Sequence, residues 1–566
     1  DLDASAIDIA RLRLWLSMIV DEEDYDNIEP LPNLDYKIVR GNSLVGFPEN
    51  WESPAFEKIE TLKEQFFSET NYEEKKRLQN EIDHEIQLRL NNSEDIFGYQ
   101  VDFDFKLFFS EVWTQNGGFD LVIGNPPYID IKGIEDKELV KFLFNQYKTT
   151  KNRINLYSIF IEKGLQICRK KGALIFINPN SMLTNSSYVK LRQLIISNLN
   201  FVLKLPDKVF KEANVETIII QIGKNTNHQA IKGAYFKKDD TIDFDTLKFM
   251  SFDRSVWLED KHHRISIFNT PEQHAILKFI EKDRAQLRDN FDFCLGITPY
   301  DKYKGHTPEQ IKNKVFHAKT KIDDTYVPLI SGKNIVKYKI QHNGIEAYLK
   351  YGDWLGAPRK KKFFTSPRVI VRQIVSGKPL RIYAGYTKEE LYYTQIGFSI
   401  IPKENAAFSP KVLCAYLNSD VLNFYHSRKF LDIEKKIFQK VLIENCKSFP
   451  MPPMTDDAAK IIERVLDYIQ FIEKQDANVI FSFFDRLISA IFFELFFPEE
   501  LEAVNKQILP HLHDLPPLVC TTSKAEKQAF IRSEFDRMYD VYHPIRNNLE
   551  TLSSIEKIHI IKKALR

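Results

Sequence analysis

The segment Asn125-Pro126-Pro127-Tyr128 joins an amide, two prolines and an aromatic ring in four consecutive residues. It follows Phe119-Asp-Leu-Val-Ile-Gly124, an apolar run that ends in glycine, as buried parallel strands do. Because prolines fix the backbone, the Asn125 side-chain oxygen and the Pro126 carbonyl can point at one spot. Two fixed acceptors can hold both hydrogens of an exocyclic amino group and direct its nitrogen lone pair at an electrophile. Tyr128 offers a flat face for a planar base. The competing interpretation is a proline turn after a strand.

Strands and helices alternate around this segment, which is typical of a doubly wound, mainly parallel α/β sheet. The predicted strands are 36–40, 119–123, 172–177, 201–205 and 217–222, and the predicted helices are 5–20, 155–169 and 187–198. Residues 52–95 carry Glu and Lys at short spacing and predict a helical hairpin on the surface. Beyond about residue 286, β-like runs appear at 327–330, 369–372, 380–383 and 398–401, and the pattern is helical from 456 onward.

Other segments occur in a fixed order around Asn125: Asp1-Leu2-Asp3, Gly41-Asn42-Ser43-Leu44, Asn155-Leu156-Tyr157, Ile177-Asn-Pro-Asn-Ser181 and Asp207-Lys-Val-Phe210. Together they resemble the later part of an adenine-specific, S-adenosylmethionine-dependent DNA methyltransferase of the N-P-P-Y class. The likeness is greatest to the fused type IIG restriction–modification enzymes. The resemblance implies a Rossmann-like sheet that lacks its first strands, followed by a β-rich target-recognition domain and a helical region. The implied boundaries are 1–285, with a helical insertion at about 51–100, then 286–453 and 454–566.

The resemblance also implies a role for each matched residue. Asp1 would bind the cofactor ribose, and Asn42 and Asn125 would complete the cofactor site. Asn125 to Tyr128 would be catalytic, and Asn155, Tyr157 and Phe210 would bind the substrate. The target base must leave the duplex, so Tyr128 and Phe210 are expected to sandwich a flipped adenine. Taken singly, Phe210 fits a core residue, Asn42 a turn residue, and Asp1 a chain end without a role.

Basic residues are concentrated in residues 331–378, where eleven Lys and Arg face only Glu346 and Asp353. Aromatic side chains are interleaved with them, so we predict DNA phosphate contacts rather than only a solvated face. The proposed DNA-binding residues are Lys350, Arg359, Lys360, Lys361, Lys362, Arg368 and Arg372, and a second basic cluster is Arg428, Lys429, Lys435, Lys436 and Lys440. The segments Gly296–Tyr300, Pro328–Gly332 and Ala415–Ser419 resemble target-recognition domains, which implies double-stranded DNA with a specific sequence as the partner.

Composition excludes several other classes of protein. The net charge is +1, which excludes a histone-like polycation, and five scattered cysteines argue against a disulfide framework or a structural zinc site. The most apolar run, 479–497, is interrupted by Asp485, Arg486 and Glu494, so it predicts a buried helix and no membrane partner. We expect a prokaryotic cytoplasmic protein. Methyl transfer needs no metal, and Mg²⁺ would be required only by an upstream nuclease.

Three functions remain open. The favoured one is adenine-N6 methylation within a restriction–modification system, in a longer chain that carries an upstream endonuclease. Because the sequence opens at Asp1, we expect the glycine-rich cofactor loop and two strands to precede it, and these residues alone to be poorly stable. The alternatives are a non-catalytic DNA-recognition fragment and an N-P-P-Y enzyme that acts on protein glutamine or RNA. The long basic block after residue 286 counts against the last.

Overall fold

The chain divides into two compact units, Asp1–Pro271 and Glu272–Arg566. The computed structural model describes residues 2–20, 34, 36–49, 51, 55–150, 155–207, 209–210, 215–224, 230–260, 262–342, 344–375, 380–431, 439–472, 479–518 and 523–566.

The helices at 4–20, 55–68, 72–91, 156–167 and 189–195 lie where apolar and charged periodicity predicts them, whereas those at 105–108, 110–116, 137–146 and 255–258 were not predicted. Among them, α2 and α3 form the predicted surface hairpin, and Asn71 caps α3 by accepting hydrogen bonds from the Glu73 and Glu74 amides. Apolar residues Leu78, Ile82 and Ile86 of α3 are buried. The helices are α1 (Ala4–Val20), α2 (Ala55–Ser68), α3 (Tyr72–Asn91), α4 (Ser93–Phe97), α5 (Phe105–Phe108), α6 (Ser110–Asn116), α7 (Lys137–Gln146), α8 (Leu156–Ile167), α9 (Val189–Ile195) and α10 (Ser255–Leu258).

A six-stranded sheet forms the centre of the first unit. Its strands are β1 (Phe119–Gly124), β2 (Cys168–Pro179), β3 (Leu199–Lys204), β4 (Thr217–Gly223), β5 (Ala230–Tyr235) and β6 (Met250–Asp253), in the order β1-β2-β4-β3-β5-β6. The pairs β1/β2 and β3/β5 are parallel, whereas β2/β4, β4/β3 and β5/β6 are antiparallel. The α/β class is confirmed, but the described sheet is mixed rather than mainly parallel.

Two strands, β4 and β6, run against the others and give the sheet its mixed direction. Strand β4 returns from β3 as a hairpin and inserts between β3 and β2, antiparallel to both. Strands β1, β2 and β3 therefore run in the same direction, and their carboxyl ends meet at one edge of the sheet. Asn125 to Tyr128 follow β1 directly, and Phe210 lies in the segment after β3.

The predicted strand at 36–40 is wrong. Tyr36 has a left-handed φ of 60°, and the Lys37 and Ile38 amides both donate to the Leu34 carbonyl, at 3.1 and 3.2 Å. These bonds form a turn. The Tyr36 hydroxyl donates to Asp83 on α3 at 2.8 Å, so the aromatic residue serves the helical hairpin rather than a sheet.

The second unit contains a five-stranded sheet of order β10-β13-β12-β14-β7 and a three-stranded sheet of order β8-β11-β9. The strands are β7 (Phe291–Leu295), β8 (His317–Ala318), β9 (Tyr326–Leu329), β10 (Tyr338–Lys339), β11 (Ala347–Lys350), β12 (Arg368–Arg372), β13 (Ala384–Thr387) and β14 (Gly397–Pro402). Three of the four β-like runs are confirmed. The fourth, 380–383, lies just before β13 rather than in a strand.

Helices pack over the larger sheet of the second unit and form most of its carboxyl-terminal part. They are α11 (Pro271–Glu281), α12 (Leu287–Asn290), α13 (Pro308–Asn313), α14 (Lys362–Thr365), α15 (Pro410–Asn418), α16 (Asp420–Phe430), α17 (Ile443–Lys447), α18 (Asp456–Phe471), α19 (Val479–Phe496), α20 (Pro498–Glu502), α21 (Lys524–Tyr539), α22 (Pro544–Thr551) and α23 (Glu556–Ala564). The Phe-rich α19 is buried within this core, as predicted. No helix in the described part of the chain is long and apolar enough to cross a membrane.

Candidate functional site

Strand β1 delivers Asn125 directly to the sheet edge where β1, β2 and β3 end. Gly124 pairs with Phe176 of β2, and a Cβ at position 124 would lie 2.9 Å from the Phe176 ring. Glycine therefore lets the strand end close against β2. Asn125 is exposed and Pro126 is buried, so the amide faces outward while the proline anchors the turn.

Tyr128 fixes the far end of this turn to the neighbouring strand. Its hydroxyl donates a 3.1 Å hydrogen bond to the Ile177 carbonyl near the end of β2. Burial raises the pKa of Tyr128 to about 12, so the hydroxyl keeps its proton at neutral pH. The Tyr128 ring meets the Tyr157 ring edge to face, with centroids 6.2 Å apart. The ring is half-buried, so part of its surface remains accessible.

The beginning of α8 lies against the same turn. The Leu156 amide donates to the Ile129 carbonyl at 2.8 Å, and Asp130 and Asn155 form a β-bridge. Asn155 occupies the N-cap position, yet its side chain makes no capping hydrogen bond. Its Oδ1 is buried and has no hydrogen-bond partner among the described residues. An acceptor without a donor beside the Asn125 turn suits a ligand that carries N–H or O–H groups.

A buried arginine holds the segment that follows β2. Arg192 of α9 donates to the Met182, Asn185 and His262 carbonyls at 2.7, 2.8 and 3.1 Å. Desolvation lowers its pKa to about 10, so the guanidinium stays charged at neutral pH. Sequence reasoning missed this residue, because an isolated arginine in an amphipathic helix gives no signal of what it contacts.

Asn178, near the end of β2, is a second residue that sequence reasoning did not single out. Its side chain is fully buried, and neither Oδ1 nor Nδ2 has a hydrogen-bond partner in the described part of the chain. Unsatisfied buried amides are rare and commonly occur at functional positions. Its place in the Ile177–Ser181 segment was the available signal.

The turn that contains Asn42 packs onto the same hydrophobic core. Asn42 Oδ1 accepts from the Leu44 amide at 3.1 Å, and the Leu44 carbonyl accepts from the Tyr147 hydroxyl at 2.8 Å. Leu44 and Tyr157 belong to one buried cluster. The Asn42 side chain therefore shapes its own turn and is half-buried. Asp1 lies outside the described residues.

Phe210 follows β3 and is half-buried. Because β3 is parallel to β1 and β2, this segment begins at the same sheet edge as Asn125 and Asn178. Backbone hydrogen bonds join the segments at that edge. The Asn180 amide donates to the Glu216 carbonyl at 2.8 Å, and the Leu205 amide donates to the Thr217 carbonyl at 3.0 Å. The topology thus brings the segments that carry Asn125 and Phe210 to one edge.

Asn125 and Pro127 are exposed at this edge. A cavity of about 150 Å³ in the first unit is lined by Gly46, Asp104 and Lys163 among others, and by none of the predicted site residues. We therefore locate the candidate site by the strand ends and not by this cavity. Strand β1 pairs with one strand in the described part of the sheet, and its Leu121 and Ile123 side chains are 47% and 71% exposed.

The basic segment of the second unit divides into exposed and internally paired cations. Lys360, Lys361 and Lys362 are exposed, and Arg359 before them has a left-handed φ of 69°. The Arg359 carbonyl accepts a 2.7 Å hydrogen bond from Tyr351, which holds this strained backbone. Lys361 and Lys362 form surface ion pairs with Glu390 and Asp292 at 3.5 and 3.3 Å, weak enough to exchange for phosphate.

Arg368 does not belong to that exposed face. Its side chain is fully buried and donates to the Ser366, Glu389 and Leu391 carbonyls at 3.0, 2.9 and 3.0 Å, so it is a structural residue. The Arg372 guanidinium lies 5.6 Å from the Tyr383 ring centroid, and the Lys350 ammonium 5.3 Å from that of Trp354. Both residues are partly exposed.

The second basic cluster also serves internal contacts. Arg428 donates to the Ala564 carbonyl, and Lys429 pairs with Glu281. Lys440 is exposed, whereas Lys435 and Lys436 lie outside the described residues. Among the described members of this cluster, only Lys440 is exposed.

No group of three or more His, Cys, Asp or Glu side chains in the described residues could hold a metal ion. Cys168, Cys414 and Cys446 are buried and free. Burial raises the pKa of the Cys168 thiol to about 11, and raises those of Cys414 and Cys446 as well. These thiols are therefore protonated at neutral pH and unsuited to act as nucleophiles.

Comparison with protein families matches the two units separately. Residues 1–210 match the Eco57I restriction-modification methylase family, and residues 327–451 match the TaqI-like C-terminal specificity domain. A protein of Methanocaldococcus jannaschii, whose name describes a type II restriction enzyme and methyltransferase, is 22% identical over 90% of this chain and 49% of its own length. The chain thus spans about half the length of that relative.

A type II methyltransferase of Thermus thermophilus is 24% identical over 58% of this chain and 72% of its own length. Among solved structures, a type IIL restriction-modification enzyme in complex with DNA aligns with a TM-score of 0.37 and 11% identity, over 81% of this chain and 63% of that chain. The sequence matches show that this chain combines a restriction-modification methylase region with a specificity region.

Proposed function

We propose that this protein methylates the N6 amine of adenine at a specific DNA sequence within a restriction–modification system. The observation that carries the proposal is the position of Asn125–Tyr128. This turn directly follows β1, and Tyr128 ties it to the end of β2 through the Ile177 carbonyl. Ligand sites of open α/β sheets lie at the carboxyl ends of strands.

The residues present suit S-adenosylmethionine. Asn42 lies on a turn packed onto the same core as the Asn125 turn, and Asn155 Oδ1, a buried acceptor without a hydrogen-bond partner among the described residues, is left for the base to be methylated. Asn42 and Asn125 would hold the cofactor, with Asp1 as the ribose-binding carboxylate. When bound, S-adenosylmethionine supplies an electrophilic methyl group. No described group of side chains suits a metal, and the proposal uses none.

The part of this chain in the reaction is to orient the amine. The Asn125 side-chain oxygen and the Pro126 carbonyl would accept the two N6 hydrogens and leave the nitrogen lone pair free to attack. Tyr128 and Phe210 would stack on the flipped base, and Asn155 and Tyr157 would support it. Because Tyr128 is held by its hydroxyl, its ring is already oriented before the base arrives.

DNA recognition would belong to the second unit. We assign the first unit to catalysis, residues 286–453 to target recognition and 454–566 to a helical support. Residues 272–285, which the sequence grouped with catalysis, belong to the second unit. Lys360 to Lys362 are the exposed cations suited to phosphate contact, with Lys350, Arg359 and Arg372 beside them in sequence. An endonuclease in the full polypeptide is part of the same proposal, because the name of the Methanocaldococcus jannaschii relative includes both activities.

The test is long-read sequencing of genomic DNA from cells that express the full polypeptide. Wild type is expected to produce methyladenine at one sequence motif. Asn125→Ala is expected to lower it more than about 100-fold, because orientation supplies much of the rate. Asn116→Ala, at the exposed end of α6, is the control and is expected to methylate like wild type.

Two outcomes would contradict the proposal in different ways. Methyladenine that persists in the Asn125→Ala strain would remove Asn125 from the reaction. If wild-type cells contain no methyladenine although the polypeptide binds DNA, the alternative of a non-catalytic recognition protein is favoured. Transfer of a labelled methyl group from S-adenosylmethionine to protein or RNA, but not to DNA, would favour an N-P-P-Y enzyme that acts on protein glutamine or RNA.

A further inference from the structure

A short turn at residues 301–305 presents two cations and an aromatic ring to solvent. Tyr303 is 86% exposed, and Lys302 and Lys304 on either side of it are exposed as well. The Lys302 ammonium lies 4.8 Å from the Tyr303 ring centroid. The turn lies outside both the 331–378 basic block and the 327–451 family match. A large exposed aromatic residue between two lysines contributes nothing to the core.

The turn is nevertheless well fixed. Asp301 accepts a 2.9 Å hydrogen bond from the Tyr303 amide, and its carbonyl accepts from the Lys304 amide at 3.0 Å. Gly305 ends the turn with a left-handed φ of 87°. Because the Asp301 carboxylate caps the backbone, the two lysines dominate the charge that the turn presents.

His306 ties this turn to the segment that leads into the basic block. Its ring is buried, accepts the Asp301 amide at Nδ1 (2.9 Å) and lies 2.9 Å from the Trp354 carbonyl at Nε2. A carbonyl can only accept, so Nε2 carries the hydrogen. The backbones of Thr298 and Ala357 exchange two further hydrogen bonds of 3.0 and 2.8 Å.

Trp354 forms a second exposed pair of aromatic ring and cation on the other side of His306. It is 43% exposed, the Lys350 ammonium lies 5.3 Å from its ring centroid, and its Nε1 donates to the Lys350 carbonyl at 3.1 Å. The turn and the basic block are thus neighbours on one surface. A surface of exposed aromatic rings and cations is complementary to the bases and phosphates of DNA.

We propose that residues 301–305 are a DNA-contacting element of the specificity region. Lys302 and Lys304 contact backbone phosphates, and Tyr303 contacts a base of the recognition sequence. This inference rests on the proposed function, since it requires the second unit to bind DNA.

Binding of fluorescent duplexes to the full polypeptide tests the role of Tyr303. One duplex carries the sequence found methylated in cells, and the other a scrambled sequence. Tyr303→Ala is expected to weaken binding to the first about tenfold and to leave the second nearly unchanged, because base contacts carry specificity. Tyr542→Ala, at a residue of the same unit that is 92% exposed, is the matched control and is expected to bind like wild type.

The lysines are tested by the salt dependence of binding. The double variant Lys302→Gln/Lys304→Gln is expected to reduce the slope of log affinity against log salt by about two, since each phosphate contact contributes about one. Lys321→Gln/Lys460→Gln, at two lysines in exposed i,i+3 ion pairs of the second unit, is expected to keep the wild-type slope.

Failure of the proposed function and failure of this inference give different results. A wild-type polypeptide that binds neither duplex overturns the proposed function and this inference with it. A wild type that binds specifically, with a Tyr303→Ala variant of equal affinity and an unchanged slope in the lysine variant, overturns this inference alone.

Discussion

Strands β1 and β12 lead into the two candidate surfaces of the molecule but are packed very differently. In the first unit, β1 pairs with one described strand, and its Leu121 and Ile123 side chains are 47% and 71% exposed. In the second unit, β12 pairs with β13 and β14, and Val369, Ile370 and Val371 are fully buried. The sequences Phe-Asp-Leu-Val-Ile-Gly and Arg-Val-Ile-Val-Arg give no hint of this difference.

The difference shows what each candidate site depends on. Both faces of β12 are covered, because Val369 and Val371 join the large core while Ile370 packs with Phe364 and Tyr392. The basic segment that precedes β12 therefore projects from a rigid support. The Asn125 turn is held by β2 through the Tyr128 hydroxyl and by the start of α8 through the Leu156 amide, whereas the described residues place no strand on the other side of β1. Asn125 and Pro127 are exposed, as are Leu121 and Ile123 of the strand that leads into them.

A buried arginine in each unit performs the same task with different consequences. Arg368 and Arg192 each donate to three backbone carbonyls, and burial lowers the pKa of both to about 10. Arg368 joins the ends of strands inside the closed unit. Arg192 instead holds the loop after β2, at the edge where the proposed site lies.

Replacement of these arginines should have the largest effect on stability. Arg368→Met is expected to lower the free energy of unfolding of the second unit by about 4 kcal/mol, because buried carbonyls lose charged donors. Hydrogen exchange of the full polypeptide would show faster exchange in peptides from β12 to β14 and an unchanged exchange rate in peptides of the first unit. Arg77→Met, on the exposed face of α3, is the control.

Arg192→Met is expected to speed exchange in peptides 180–188 and also to lower methylation, because it releases the Met182 and Asn185 carbonyls. Arg368→Met should alter exchange in the second unit without that selective effect on the loop after β2. Equal exchange patterns in the two variants would contradict the division of roles.

Truncation of an isoleucine in each strand sharpens the comparison directly. Ile370→Ala should destabilise the second unit by about 3 kcal/mol, as expected for a fully buried side chain, whereas Ile123→Ala should change stability by less than about 0.5 kcal/mol. Urea unfolding of the full polypeptide measures both. A cost at Ile123 similar to that at Ile370 would mean that the outer face of β1 is buried in the full polypeptide.

Sequence predicted the positions of β1 to β4, of three strands in the second unit and of the site turn, because apolar runs and prolines are local signals. It missed β5, β6 and five strands of the second unit. It did not predict strand direction: the hairpin that inserts β4 between β2 and β3 depends on long-range pairing. The Asn125 turn was found because a glycine-ended strand and two prolines mark it. Asn178 and Arg192 were not found from the sequence. Arg192 matters because of the buried hydrogen bonds that it makes, and Asn178 because its buried amide has no hydrogen-bond partner among the described residues.

Charge counting located the basic block but not the orientation of its members. Arg368 has the same strand parity as Ile370, which was the available signal that it points into the core. Tyr303 was missed because only two lysines accompany it, outside the dense run. Tyr36 was misplaced since its β-favouring type outweighed the turn that its left-handed φ requires.

The smallest expected effect concerns pH and a histidine in the closed unit. His426 of α16 is buried against Phe430 and Phe449, with ring centroids 6.2 and 5.7 Å away. Desolvation lowers its pKa to about 3, from about 6.5 in an unfolded chain. Below pH 6.5 the unfolded state therefore binds a proton that the folded state excludes. The free energy of unfolding decreases as the pH is lowered.

This group alone should lower the stability of the second unit by about 2 kcal/mol between pH 7 and pH 5. His426→Phe fits among the same aromatic rings and is expected to remove that part of the acid dependence, whereas His513→Phe, at an exposed position, should retain it. Urea titrations of the three full polypeptides at both pH values measure the difference. A wild type and a His426→Phe variant with parallel pH dependence would show that His426 accepts a proton in the folded state. The core around α16 would then be open to water, and the contrast between a closed second unit and an exposed β1 would weaken at that point.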